Sequence, residues 1–206
     1  MNIILQRSIV CGLMAFGFVA CQSINRKVAY TTSEITLTNG TVLKGSTSPI
    51  ADNSFSFKDA RTSKKSTIES KNVQSVIKHF PDGTREYLQF EVLGKNDKPQ
   101  RILAAYAIKG DLNLLAYEVS KHSRKAQTVN NRQTFVEETI LVKEFYLKKN
   151  DTAGVRVPDK NDDFYEVASL FLADTPHLLQ RIGAEGYQVQ DIQKIVEEYN
   201  ALKRKK

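Results

Sequence analysis

The stretch Arg101-Ile-Leu-Ala-Ala-Tyr-Ala-Ile-Lys-Gly-Asp-Leu-Asn-Leu-Leu-Ala-Tyr-Glu-Val-Ser120 holds two β-prone runs on either side of Gly110-Asp111. In the first run Ile102, Ala104, Tyr106 and Ile108 share one parity, the period of a strand with one buried face. The Gly-Asp connection is short enough for a tight hairpin, and a pair joined that way is antiparallel, since a parallel pair needs a crossover of about a dozen residues. Working outward, the same alternation recurs in Thr84 to Leu93 through Leu88, Phe90 and Val92, and in Thr134 to Lys148 through Val136, Ile140 and Val142. Residues 81–160 are therefore predicted to form an antiparallel meander. The polar, basic stretch Lys121 to Arg132 between the last two runs reads as an exposed loop.

Two further β-prone runs surround Asn39-Gly40 within Glu34 to Gly45. Asn-Gly favours a two-residue turn with φ > 0 at both positions. Such a turn sets Leu37 opposite Val42 and Thr36 opposite Leu43. Phe55 and Phe57 alternate with polar neighbours, and Ile68, Val73, Val76 and Ile77 complete five short strands between Glu34 and His79. Residues 34–80 are expected to make a small, strongly bent, β-barrel-like subdomain. The character changes at residues 161–202, where Phe164, Val167, Ala168 and Phe171 fall at helical spacing behind an Asp163/Glu166 pair with capping-box spacing. Thr175-Pro176 restarts a second short helix, with Pro at the first helical position. A third runs from about Val189 to Leu202, its stripe made by Val189, Ile192, Ile195, Val196 and Tyr199. The expected fold class is α+β: a bent barrel-like subdomain and an antiparallel meander, followed by a three-helix C-terminal segment.

The N-terminus has its own grammar. Arg7 is the single charge of residues 1–20, and an uncharged run extends from Ser8 to Cys21. That is the layout of a secretory signal. The run is shorter than the roughly 20 apolar residues that span a bilayer, and polar Gln22, Ser23, Asn25, Arg26 and Lys27 follow at once. Phe18-Val19-Ala20-Cys21 resembles the lipobox of bacterial lipoproteins, in which a small residue precedes a cysteine that becomes the lipidated N-terminus. Phe18 stands where Leu is commoner. The resemblance implies a signal peptide over residues 1–20, a thioether-linked diacylglycerol and an N-acyl chain on Cys21, and a tether over residues 21–33. The competing reading is an ordinary signal peptide cut nearby, with Cys21 a bystander. Cys11 would leave with the signal, so Cys21 would be the one remaining thiol of two. A lone exposed thiol is a liability in an oxidising compartment unless its sulfur is modified. More than one acyl chain is also what durable anchoring requires. Gln22, where Asp would resemble an inner-membrane retention signal, points to the outer membrane, facing the periplasm.

Two broader resemblances bear on the fold. Leu37, Asn39, Gly40 and Gly45 resemble the first hairpin of SH3-like and Sm-like barrels. There an Asp and Asn shortly afterwards would line an RNA site, and Asp52-Asn53 falls nearby; the second Sm signature is missing, and Asp52-Asn53 also suits a plain hairpin turn. The segment Phe171 to Ile182, with Gly186-Tyr187 and Ile195 to Asn200, resembles the helical ending of uncharacterised exported bacterial lipoproteins with a β-rich head. That family implies a location and a fold but no activity.

Composition excludes a disordered chain and a disulfide scaffold: 206 residues, 41% hydrophobic, with two cysteines. Of 30 Lys+Arg and 23 Asp+Glu, loss of residues 1–20 removes only Arg7, leaving 29 minus 23, or +6. A basic envelope protein favours anionic partners such as lipid headgroups, acidic glycan or an acidic protein surface. The clusters Lys64-Lys65, Lys121 to Arg132 and Lys203 to Lys206 are the candidate contacts. Nucleic acid is not expected. His79, His122 and His177 have no partner at metal-ligand spacing, and no phosphate-binding glycine loop or nucleophile elbow occurs. No catalytic, cofactor-binding or metal residue is assigned, and Cys21 is the one site residue. Two function classes remain: a non-catalytic envelope lipoprotein that binds or braces a partner, and a periplasmic enzyme acting on envelope glycan or lipid through a cleft near Tyr87, Tyr106, Tyr117 and Asp174.

Overall fold

The computed structural model describes residues 29–94, 98–129 and 132–204. Ten antiparallel strands form one sheet in the order β10-β9-β8-β7-β6-β5-β1-β2-β3-β4. They are β1 Thr31–Leu37, β2 Val42–Thr47, β3 Ser54–Asp59, β4 Lys65–Glu69, β5 Val73–Phe80, β6 Gly83–Leu93, β7 Pro99–Ile108, β8 Leu112–Val129, β9 Arg132–Lys149 and β10 Val155–Arg156. Helices follow at α1 Asn161–Leu172, α2 Pro176–Leu179 and α3 Ile192–Arg204.

The expected α+β division is corrected. Strand makes up 52% of the structure, the helices are short, and the sheet is open rather than a barrel subdomain beside a separate meander. The reason is β5, which pairs with β1 on one side and β6 on the other. A single row of cross-strand partners therefore runs Ile35, Val76, Tyr87, Ala105, Ala116, Phe145 through six strands. The open sheet is coiled: isolated bridges join Ala51, in the β2–β3 connection, to Glu118 of β8, and Gly154, just before β10, to Val92 of β6.

One sheet face carries two cores. Ile35, Ile50, Phe55, Phe57, Val73, Val76 and Tyr87 pack inside the curl of the N-terminal strands. Further along, Leu112, Leu114 and Leu147 receive Phe164, Leu172, Leu178, Ile195 and Tyr199 from the helices. Phe90, Val92, Ile102, Ala104, Leu115 and Tyr146 form a third cluster on the opposite face. Gly45 is required by close approach, since a Cβ there would lie 2.1 Å from the Lys58 carbonyl on β3. Gly110 has a similar role beneath α3, where a Cβ would meet the Asn200 amide at 2.5 Å.

The first hairpin differs from expectation by one residue. Thr36 pairs with Val42 and Ile35 with Leu43. The turn holds three residues, with Leu37 N–H donating to Thr41 O and Gly40 N–H to Leu37 O, both at 2.9 Å. Of the two turn residues only Gly40 has φ > 0, at 83°. Asn39 instead accepts from Thr41 N–H at 3.0 Å through its side chain. A one-residue slip would turn every side chain to the other face, so this loop length is what sends Ile35 and Leu43 to the core.

The capping box expected at Asp163/Glu166 is not formed. Lys160 is the N-cap of α1 and makes no side-chain cap bond. Asn161 Oδ1 instead accepts from Val189 N–H at 2.8 Å, tying α1 to the entry of α3. The capping box that exists pairs Gln188 with Asp191. Of Lys121 to Arg132, expected as a loop, Lys121 to Val129 and Arg132 are corrected to strand, because β8 and β9 continue in unbroken register to Val129↔Arg132. Its sequence is polar at both parities, so a strand period is invisible in the hydrophobic pattern.

Candidate functional site

The coiling of the sheet opens a groove of about 850 Å³ between the β2–β3 connection, the end of β6, the middle of β8 and β9, and β10. Tyr117 and Val119 of β8 and Glu144 and Tyr146 of β9 share its floor, since Tyr117 pairs with Glu144 and Leu115 with Tyr146. The two rings meet edge to face at 6.4 Å. Arg156 enters from β10 and holds Glu144 at 3.1 Å and Asp159 at 3.0 Å, while Lys121 stands 3.8 Å from Glu144.

At the other wall Asp52, itself at φ 57°, accepts from Ser120 N–H at 3.2 and 3.3 Å. Asp52 N–H in turn donates to Glu118 O. The pair Asp52-Asn53 therefore makes a connection that clips β8, the turn role available to it in sequence.

Burial, then the nearby Asp52 carboxylate, the Tyr146 phenol and the Glu144 carboxylate, push the Tyr117 phenol up to about 12. Burial and Glu144 also raise Tyr146. Both phenols are protonated donors near neutral pH, and both groove carboxylates are already engaged by cations or an amide. The chemistry available is recognition of a polar ligand through phenol and cationic donors.

The four residues suggested for an enzymatic cleft do not converge on one site, although Tyr87 and Tyr106 both border a small pocket between β6, β7 and β8. Tyr117 lines the groove; Tyr106 packs edge to face on Phe90 at 5.1 Å. Tyr87 is buried in the curl core on the opposite face, its phenol raised to about 12 by burial and then by Glu118. Asp174 lies between α1 and α2 and accepts from Lys149 at 2.8 Å, Lys203 at 2.7 Å and Tyr199 at 3.0 Å. Those donors outweigh a burial effect of opposite sign and hold its carboxyl well below the usual range.

His79, His122 and His177 are all exposed and lie on β5, β8 and α2. Among the described residues no group of three His, Cys, Asp or Glu could hold a metal. Lys64 and Lys65 are exposed at the start of β4, whereas Lys203 is taken up by Asp174. Cys21 lies outside the described residues. One buried cation escaped the sequence reading: Lys78 is 3% exposed, its ammonium donating to Ser48 O at 3.0 Å and its pKa lowered by burial. Its parity with buried Val76 on β5 was the available signal.

No family model matches the chain, and no curated protein or solved structure does either.

Proposed function

We propose that this protein is a bacterial envelope lipoprotein, held by acyl chains on Cys21 in the outer membrane and facing the periplasm, where it serves as a non-catalytic binding or structural module. The observation that carries the reading is the uncharged run Ser8 to Cys21 ending in Ala20-Cys21, with polar residues immediately after. β1 begins at Thr31, ten residues beyond Cys21, a contour of about 35 Å at most. A fold on so short a leash stays beside the headgroup layer. Its mature balance of 29 cations against 23 acids favours an anionic glycan, lipid or protein there. The groove supports binding over catalysis, because Asp52 and Glu144 are committed to Ser120 and Arg156. Among the described residues no helix is long and apolar enough to cross a membrane.

Metabolic labelling with a clickable fatty acid, in wild type and Cys21→Ser, followed by membrane fractionation, tests the anchor. Label confined to wild type in the outer-membrane fraction is expected. An unlabelled, soluble product in both would overturn the lipoprotein reading and favour a secreted enzyme.

A further inference from the structure

Among the described residues, the distal half of the β8–β9 hairpin has no further strand neighbour. β7 pairs with β8 only as far as Ala116, and β10 with β9 only at Tyr146 and Leu147. Among the described residues no strand pairs with either one beyond that, so a two-stranded ribbon projects from the body as far as Val129 and Arg132. Its two edges are not alike. The β8 edge is closed at its base, where Ala51 bridges to Glu118 and Asp52 accepts the next outward amide, Ser120 N–H. The β9 edge is open from Lys143 outward. It contains no proline or glycine from Arg132 to Glu144, and its register against β8 has no bulge, so of the usual edge-blocking devices it keeps only charge, at Glu137, Glu138 and Lys143.

This open edge also carries exposed apolar side chains. Phe135 is 57% and Leu141 50% exposed, both on one face of β9, and Ile140 is 38% exposed on the other. We propose that the outer edge of β9 is a self-association surface, on which a second copy of this chain adds its own β9 antiparallel about a two-fold axis at residue 138.

Phe145 turns its carbonyl to this edge, where Val157 N–H bonds it at 2.8 Å. With a period of two, 143, 141, 139, 137 and 135 present their backbone groups there as well. Two such edges bond only if odd residues meet odd residues, so paired numbers must sum to an even value. A sum of 276 sets Phe135 opposite Leu141 of the partner subunit, and Leu141 opposite Phe135 of the partner subunit. Both large exposed side chains on that face are then covered by apolar partners at once, the kind of cross-strand pair that stabilises a sheet. The two-stranded ribbon, marginal by itself, becomes four-stranded. A two-fold contact of this kind closes on itself and yields a dimer.

The test uses the full-length chain with Cys11→Ser and Cys21→Ser, purified in non-ionic detergent, with mass measured by light scattering from micromolar to about 100 μM. A dimer is expected, twice the 23.2 kDa chain. Phe135→Asp with Leu141→Asp should weaken it by about tenfold or more while leaving circular dichroism unchanged, because both positions are exposed.

Adding Glu138→Cys to the same background should give a disulfide dimer on mild oxidation. Non-hydrogen-bonded partners in an antiparallel pair bring Cα atoms to about 4.5 Å, within disulfide range. Cysteine at Thr134, about 26 Å from its own copy in this register, should stay reduced. Glu138→Gln should tighten the dimer, since like charges set directly opposite are unfavourable. A monomer at every concentration, or a dimer indifferent to the double Asp substitution, overturns the proposal. Cross-linking at 134 but not 138 overturns the register.

Discussion

β8 and β9 pass through two environments without changing partner. Near the body, Leu112, Leu114 and Leu147 lie beneath the helices, and Leu115 and Tyr146 fill the cluster on the opposite face. Beyond Val119 the same two strands, in the same register, carry Phe135 and Leu141 into solvent. The β8–β9 register is identical in the two halves, but near the body β7 and β10 pair alongside, so the difference shows what neighbouring strands and side-chain burial add together. A hairpin is specified by local chemistry, but its stability is lent by whatever packs on it.

The largest effect that would test this contrast is truncation in the buried half. Leu114→Ala should cost about 2–5 kcal/mol in urea unfolding. Phe135→Ala in the exposed half should leave the monomer's stability within about 0.5 kcal/mol. Equal losses would mean that the two halves are energetically one unit.

Next in size is Asn200 of α3, whose amide donates to Leu112 O and whose carbonyl accepts Leu112 N–H, both at 2.9 Å. Asn200→Ala strands two buried backbone groups and should cost about 1–3 kcal/mol. Gly110→Ala crowds that same amide, so the two substitutions should be non-additive, the double variant losing less than the sum.

A smaller effect is expected from pH. The carboxyl of Asp174 is held below its ordinary value, so its contribution is present above the unfolded pKa of about 3.9 and is lost as pH falls through the folded one. Lys149 and Lys203 are raised, so their share is present below about 10.4 and lost as pH rises through their folded values. Because the Asp174 side chain is 40% exposed, screening limits the acid limb to about 1 kcal/mol or less. Stability measured from pH 5 to 2 should show a shallower decline in Asp174→Asn than in wild type.

The finest test is hydrogen exchange. Amides of β8 and β9 near the body should be strongly protected. Distal outward amides such as Phe135 and Leu141 should exchange quickly when the chain is dilute, and slow down if the edge pairs with a second copy.

Most strands beyond residue 80 were legible because burial on one face imposes a period of two, as in Ile102, Ala104 and Tyr106. Pro176 at the first position of α2 was legible for a local reason as well, its missing N–H. What failed was non-local. The expected Asp163/Glu166 capping box gave way to a bond from Val189 N–H to Asn161, 28 residues away, and nothing near it in the chain encodes that choice. The distal strand ends, Lys121 to Val129 and Arg132 onward, were hidden because period two is only visible where one face is apolar. The groove could not be anticipated either, since Asp52, Tyr117, Glu144 and Arg156 meet only after the sheet has coiled.

The sequence by itself determined the antiparallel hairpins, the helical ending, the basic balance and the expectation of a lipid on Cys21, because each rests on short-range chemistry or on composition. Tertiary structure decided that β5 joins both halves into one open sheet, that three rather than two residues turn the first hairpin, and that half of the longest hairpin has no further strand neighbour among the described residues. Those outcomes depend on which faces find partners across the whole molecule, and burial is a property of the assembled chain that no local window contains.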